Sequence, residues 1–402
     1  MKLTRNALTP EVVVFLNVIR IVACEVVLIS HFYTKYQPMV LDSIFFGGML
    51  GGLGVFTFFT ISGFLIAYTV FQKTENGQYG FKNYFIDRFS RIYSGLVPAL
   101  IVSLIVAGGI YATNNVYFNH LITTESSLSI ESFVATLTMA DMVPSHLFNA
   151  TASAVIGVPF SPVTISSFGF NNVLWSLVVE WWIYLFFGWL ILGVLSVFGR
   201  KAATGWFKGL FFVVAVLLSV VIVALAWDYS AFILVWFLGV AALCAASNPT
   251  VRSKLSGRLI KWVFITLFFA AVIGVGYEAY IIYTLTHESF SLLFGLLIAV
   301  CIILGLFIIN SKTIPSLSKL FLNKRIANGS ASMAAFSYTL FLIHYPILLF
   351  LNGLNLDVNR MLLFLPIILV INEVAFLIAS VTENKHKVLA VKIIKALHIS
   401  PY

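Results

Sequence analysis

Long apolar runs separated by short polar stretches make up most of the chain. A helix needs about 20 mostly apolar residues to cross a bilayer. Ten runs come near that length: 11–34, 45–70, 95–112, 173–198, 210–227, 231–247, 262–281, 289–310, 332–352 and 361–381. None alternates with the period of two that marks a membrane barrel strand. Lipid offers no partner to an unpaired backbone amide or carbonyl, so each run is expected to be a helix. The pattern predicts an all-α polytopic membrane protein with about ten transmembrane helices. It predicts one membrane domain over 1–384, with a long outer connection at 113–172 and a short basic tail at 385–402.

The cations orient this array. Of the 24 Lys and Arg, all but Arg20, Lys35 and Arg360 fall at the N-terminus, in alternate connections, or in the tail. No Lys or Arg lies between Arg91 and Arg200. The positive-inside rule then places both termini in the cytoplasm. Ile21-Val22-Ala23-Cys24 has the form of a lipoprotein cleavage box, but Arg20 precedes it directly and the apolar run continues through Ile29, so an uncleaved first span is expected.

Composition agrees with the pattern and narrows the classes. Apolar types make up 60% of the 402 residues and charged types 10%. Mean hydropathy is +1.02. Soluble chains are about a quarter charged, so a soluble enzyme is not expected, and this much apolar surface excludes a disordered chain. The net charge of +9 is accounted for by orientation, and no nucleic-acid partner is inferred. Cys24, Cys244 and Cys301 all lie in apolar runs, with neither a disulfide framework nor metal spacing.

Ionisable residues inside spans are costly and usually face a cavity or a partner. Arg20 and His31 share span one. Eleven residues are close to three turns, so both fall on nearly one face, about 16 Å apart along the axis, Arg20 inward and His31 outward. Arg20 could instead pair with a neighbouring helix, and His31 could be an interfacial structural histidine. Glu25 lies about 140° around from Arg20 and pairs with it poorly. Glu180, in Trp175-Ser176-Leu177-Val178-Val179-Glu180, is expected at a depth similar to His31, where a carboxylate could orient the ring. An interfacial aromatic belt with one solvated acid is the other reading. His344 is expected in the outer half of span nine, and Glu278 and Glu373 are read as helix–helix hydrogen-bond partners. Arg88 and Arg91, three apart on one face, suit phosphates through bidentate bonds, or serve only as orienting charges beside lipid headgroups. The small residues Gly47, Gly48, Gly51, Gly52 and Gly54, followed by Phe58-Phe59-Thr60-Ile61-Ser62-Gly63-Phe64, are read as packing of span two on span one.

Together these segments resemble the acyltransferase-3 family of bacterial integral-membrane O-acyltransferases. The matching pieces are Arg20-x10-His31, the Phe58–Ile66 run, Arg88…Arg91-Ile92-Tyr93, Trp175–Glu180, and Ser337-Tyr338-Thr339-Leu340-Phe341-Leu342-Ile343-His344-Tyr345-Pro346, in the family's order over nearly the whole chain. The resemblance implies a multi-pass protein of the bacterial inner membrane. It implies transfer of an acyl group, usually acetyl, from cytoplasmic acyl-CoA to a hydroxyl of an extracytoplasmic glycan such as O-antigen or exopolysaccharide, which could be lipid-linked. On it, His31, Glu180 and Arg20 are the catalytic candidates. Arg88, Arg91 and Arg20 are candidates for donor binding, and His344, Trp175 and Ser176 for an acceptor or secondary site. No metal and no permanent cofactor are expected; acetyl-CoA or another acyl-CoA is the donor substrate. A secondary transporter or flippase without acyl transfer is the alternative, since buried Arg, Glu and His also serve transport relays.

Overall fold

The computed structural model describes residues 7–36, 48–75, 79–113, 128–140, 166–194, 230–248, 257–282, 291–354 and 360–397. Among these the secondary structure is entirely helical. The helices are α1 (Pro10–Tyr36), α2 (Leu50–Thr74), α3 (Phe81–Thr113), α4 (Ile130–Leu137), α5 (Leu174–Gly188), α6 (Ser230–Ser247), α7 (Arg258–Ile281), α8 (Leu292–Asn310), α9 (Pro315–Phe321), α10 (Lys324–Ala334), α11 (Ser337–Gly353), α12 (Arg360–Val381) and α13 (His386–Ala396). Eight helical stretches are long and apolar enough to cross a membrane, and the pair α10 and α11, bent by 49°, makes up to nine. They coincide with nine of the ten runs read from the sequence. The remaining run, 210–227, lies outside the described residues.

One boundary differs markedly. The third span was expected from residue 95, whereas α3 begins at Phe81. Asp87, Arg88 and Arg91 interrupt the hydropathy there, but Tyr84, Ile86, Ser90 and Ile92 keep a buried face at helical spacing and carry the helix through. Both arginines therefore sit on a rigid helix.

The chain divides into two compact units. The first comprises residues 1–77, 231–341 and 356–380, and holds α1, α2, nearly all of α6, α7 to α10, the start of α11 and nearly all of α12. Its interior is built on close helix contacts. A Cβ added at Gly54 would lie 2.4 Å from Val27 Cγ2 and 2.6 Å from the Ala23 carbonyl, so α1 and α2 touch where the glycine-rich pattern suggested. Trp236 of α6 is fully buried and its indole donates to Ser62 Oγ at 3.2 Å. Glu11 pairs with Lys312 at 3.2 Å. Ser291 Oγ donates to Glu278 Oε1 at 2.8 Å, the helix–helix role expected for Glu278. Glu373 differs: its side chain is exposed, on the stripe of α12 that carries Leu369, Val370 and Leu377. The exposed faces of α7 and α12 are otherwise lined by large apolar residues such as Leu259, Ile273, Leu362 and Leu365, as a lipid boundary requires.

The second unit comprises residues 78–230, 342–355 and 381–402. Here α3 packs on α5, and Tyr84, almost fully buried, donates its hydroxyl to the Tyr184 carbonyl at 2.9 Å. Phe170, Val106, Ile110 and Leu349 form one core cluster. The connection at 113–172 is not featureless in its described part. Ser129 caps α4 by accepting from Ser132 N at 3.1 Å, and the Glu131 backbone amide and Ser129 hydroxyl hold the Glu131 carboxyl below its usual range. Carbonyls at and just past the C-terminal end of α4 are met by Tyr93, whose hydroxyl donates to Leu137 O at 2.7 Å, and by Trp182, whose indole donates to Met139 O at 2.9 Å. Tyr93 lies about 30 Å along α3 from Thr113 at 1.5 Å per residue. The described residues 128–140 thus lie beside α3.

Candidate active site

Arg20 and His31 both lie on α1, in the first unit, and both are half-buried. Their common face can be located from its neighbours. Cys24 and Val27 lie within about 40° and 20° of Arg20 around the helix. Cys24 is buried and donates Sγ–H to the Ser337 carbonyl at the start of α11, 3.1 Å away. Val27 faces Gly54 of α2. The face carrying Arg20 and His31 therefore looks between α2 and the beginning of α11, into its unit and away from lipid. Glu25, on another side, accepts from Asn372 of α12 at 3.4 Å, which agrees with its poor placement for Arg20. Beyond His31, Phe32 stacks on Tyr36 at 4.6 Å and meets Phe364 of α12 edge-on at 5.1 Å, so aromatic packing fixes this end of α1.

The second unit holds the other candidates. The Arg88 guanidinium sits 5.9 Å from the Tyr84 ring centre and 6.0 Å from that of Tyr184, within cation–π reach. Its Nε is buried, with no hydrogen-bond acceptor among the described residues. Tyr184 in turn donates its hydroxyl to Glu180 Oε1, one turn earlier on α5. Glu180, which the sequence suggested as a partner for His31 of the other unit, is thus linked through Tyr184 to the surroundings of Arg88. Arg91 forms an ion pair with Glu383 at 2.8 Å. Glu383 was not singled out in the sequence, where it reads as one acid beside a basic tail.

His344 is almost fully buried on α11. Pro346, two residues on, has no amide hydrogen, which leaves the carbonyl of Leu342 without its helical donor. Asn171 supplies one, since its side-chain amide donates to Leu342 O at 2.8 Å and lies 3.4 Å from Ser103 Oγ. The strand of chain leading into α5 is thereby fastened to α11 beside His344. Ser176 is buried and donates its hydroxyl back to Val173 O at 3.1 Å, a local bond in the first turn of α5, while Trp175 is half-buried. Asn171→Leu keeps the volume but strands a buried carbonyl, which costs about 1–3 kcal/mol. The variant is expected to melt at a lower temperature than the parent in detergent; an unchanged melting temperature would deny Asn171 this role.

Comparison with known proteins bears on what this arrangement serves. No solved structure matches the chain. It is 31% identical over 172 residues to a protein of Shigella phage Sf6 named O-acetyl transferase, a stretch covering 42% of this chain and 43% of that relative. The match thus spans less than half of the relative's length. A family model described as an acyltransferase domain matches residues 13–380, from the first turn of α1 to the end of α12, and on that coverage the chain belongs to the acyltransferase-3 family.

Proposed function

We propose that this protein is an O-acyltransferase of the bacterial inner membrane, with both termini in the cytoplasm. It moves an acyl group, acetyl by preference, from cytoplasmic acyl-CoA to a hydroxyl of an extracytoplasmic glycan such as O-antigen or exopolysaccharide. The family match across residues 13–380 carries this reading. The name of the phage relative supports acetyl as the group transferred.

The chemistry assigned to each residue follows from its type and place. A sugar hydroxyl is a poor nucleophile at neutral pH. His31 takes its proton as the oxygen attacks the thioester carbonyl. A carbon–oxygen bond forms, the carbon–sulfur bond breaks, and the leaving thiolate recovers the proton from the imidazolium. Arg20, on the same inward-looking face of α1, offers a charge to the donor's polar groups. Arg88 and Arg91 grip the donor's phosphates, which favour guanidinium over ammonium because two parallel hydrogen bonds can form. The buried Nε of Arg88 is a donor suited to such an anion. Glu180, held by Tyr184, supplies a counter-charge in the surroundings of Arg88. His344, Trp175 and Ser176 are kept as a secondary or acceptor region.

The test compares surface glycans, by mass and NMR, from cells with and without the gene. The expected result is an added acetyl ester on a sugar hydroxyl that appears only with the gene and is missing with His31→Ala. Identical glycans in all three strains, with the protein present in the membrane, would overturn the reading.

A further inference from the structure

We propose that Glu383 is a positioning residue for Arg91, and that the segment 383–396 is part of the donor's phosphate site. This rests on reading Arg88 and Arg91 as the grip on the donor. The Glu383 side chain is wholly buried (0% exposed), whereas Arg91 keeps 26% of its side-chain surface open, with 2.8 Å between Nη2 and Oε1. The acid therefore lies behind the guanidinium, on the side away from solvent. A guanidinium is a planar fork of five N–H donors. A buried carboxylate against one Nη holds the guanidinium by charge and restricts how far the group can swing from its place.

The carboxylate is itself held in place. Glu383 begins a single 3-10 turn, Glu383–Lys385, that leads into α13. The His386 ring nitrogen Nδ1 donates to the Glu383 carbonyl at 2.7 Å. Ala390 and Ile394 of α13 are buried against Ile86 of α3, with Ile393 beside them. Ile86 lies just before Arg88 on the same helix, so α13 docks on the stretch of α3 that carries both arginines. The two are fixed by different means: Arg88 by the rings of Tyr84 and Tyr184, Arg91 by the carboxylate. Pairing with Glu383 offsets the charge of Arg91, but the exposed Lys385 and Lys387 keep the neighbourhood cationic and attractive to a phosphate.

The experiment uses the full chain in lipid nanodiscs. It measures dissociation constants for coenzyme A and for pantetheine, which lacks the phosphates, together with the melting temperature of the unliganded protein. Glu383→Gln is expected to weaken coenzyme A about tenfold, the scale of one charge-assisted contact, and to leave pantetheine unchanged. Glu383→Asp, which keeps the charge, should fall between the two. Arg91→Ala alone strands a buried carboxylate and can unfold the protein, so the Arg91→Ala/Glu383→Gln double variant serves as the reference without the pair. It should bind coenzyme A no better than Glu383→Gln. Unchanged coenzyme A affinity in Glu383→Gln overturns the inference, as does an equal loss for coenzyme A and pantetheine, which would mark Glu383 as structural only. Wild-type protein that binds no coenzyme A at all overturns the donor reading itself, and this inference with it.

Discussion

His31→Ala is expected to leave a folded protein that binds acyl-CoA as the wild type does and transfers its acyl group about 10²–10⁴ times more slowly, the usual contribution of a positioned general base. The local structure justifies separating chemistry from folding here. His31 is only half-buried. Much of the packing of its helix is held at other positions: Val27 against Gly54, Cys24 on Ser337, and Phe32 stacked on Tyr36 and set edge-on to Phe364. Truncating the imidazole touches none of these contacts. The loss should therefore appear in kcat, with the donor dissociation constant and the melting temperature near their original values. His31→Gln, which keeps a polar group of similar reach but no basicity, should be as slow as the alanine variant. A glutamine variant that retains most of the wild-type rate would reduce His31 to a hydrogen-bonding group and remove the base from the mechanism. Equal losses of rate and thermal stability would reassign it to packing.

The contrast between what the sequence disclosed and what it withheld has a physical cause. Lipid tolerates only self-satisfied backbone, so spans announce themselves by composition alone, and nine of the ten runs coincide with helices. That Arg20 and His31 share one side of α1 was likewise legible, because helical periodicity fixes which residues share a side. Pairings between distant segments were not. Glu383 reads as one acid in a charged tail until α13 is seen docked on α3. Tyr184 reads as one more aromatic in the run after Glu180, although its hydroxyl is committed to that acid. The Asn171 bond had half a signal. Pro346 inside a helical run implies that the Leu342 carbonyl needs another donor, but nothing local names a residue 171 positions earlier. The early start of α3 was hidden because a hydropathy window averages Asp87, Arg88 and Arg91 with the buried face that sustains the helix.

Gly63→Val should have the largest effect on stability, and it tests whether the Phe58–Phe64 motif serves packing or chemistry. A Cβ at Gly63 would stand 1.9 Å from the carbonyl oxygen of Trp236 and 2.9 Å from its carbonyl carbon. On the other side of the same contact, a Cβ at Gly239 would stand 2.1 Å from Thr60 O. Helices α2 and α6 thus meet backbone to backbone at two reciprocal points, the close approach that small residues permit in membranes. A side chain can rotate away from an intruder, but a helical carbonyl cannot. The helices must separate instead, and fully buried Trp236 loses both its packing and its bond to Ser62. Overpacking usually costs about 1–3 kcal/mol; with backbone as the obstacle, about 3 kcal/mol or more is expected, a large part of a total stability on the order of 5–15 kcal/mol. The variant should reach the membrane in low yield and melt well below the wild type. Whatever fraction folds should keep the wild-type KM for acyl-CoA, because neither Gly63 nor Trp236 is assigned to substrate. A Gly63→Val protein with wild-type yield and melting temperature but no transfer activity would place this motif in the catalytic machinery and refute the packing assignment.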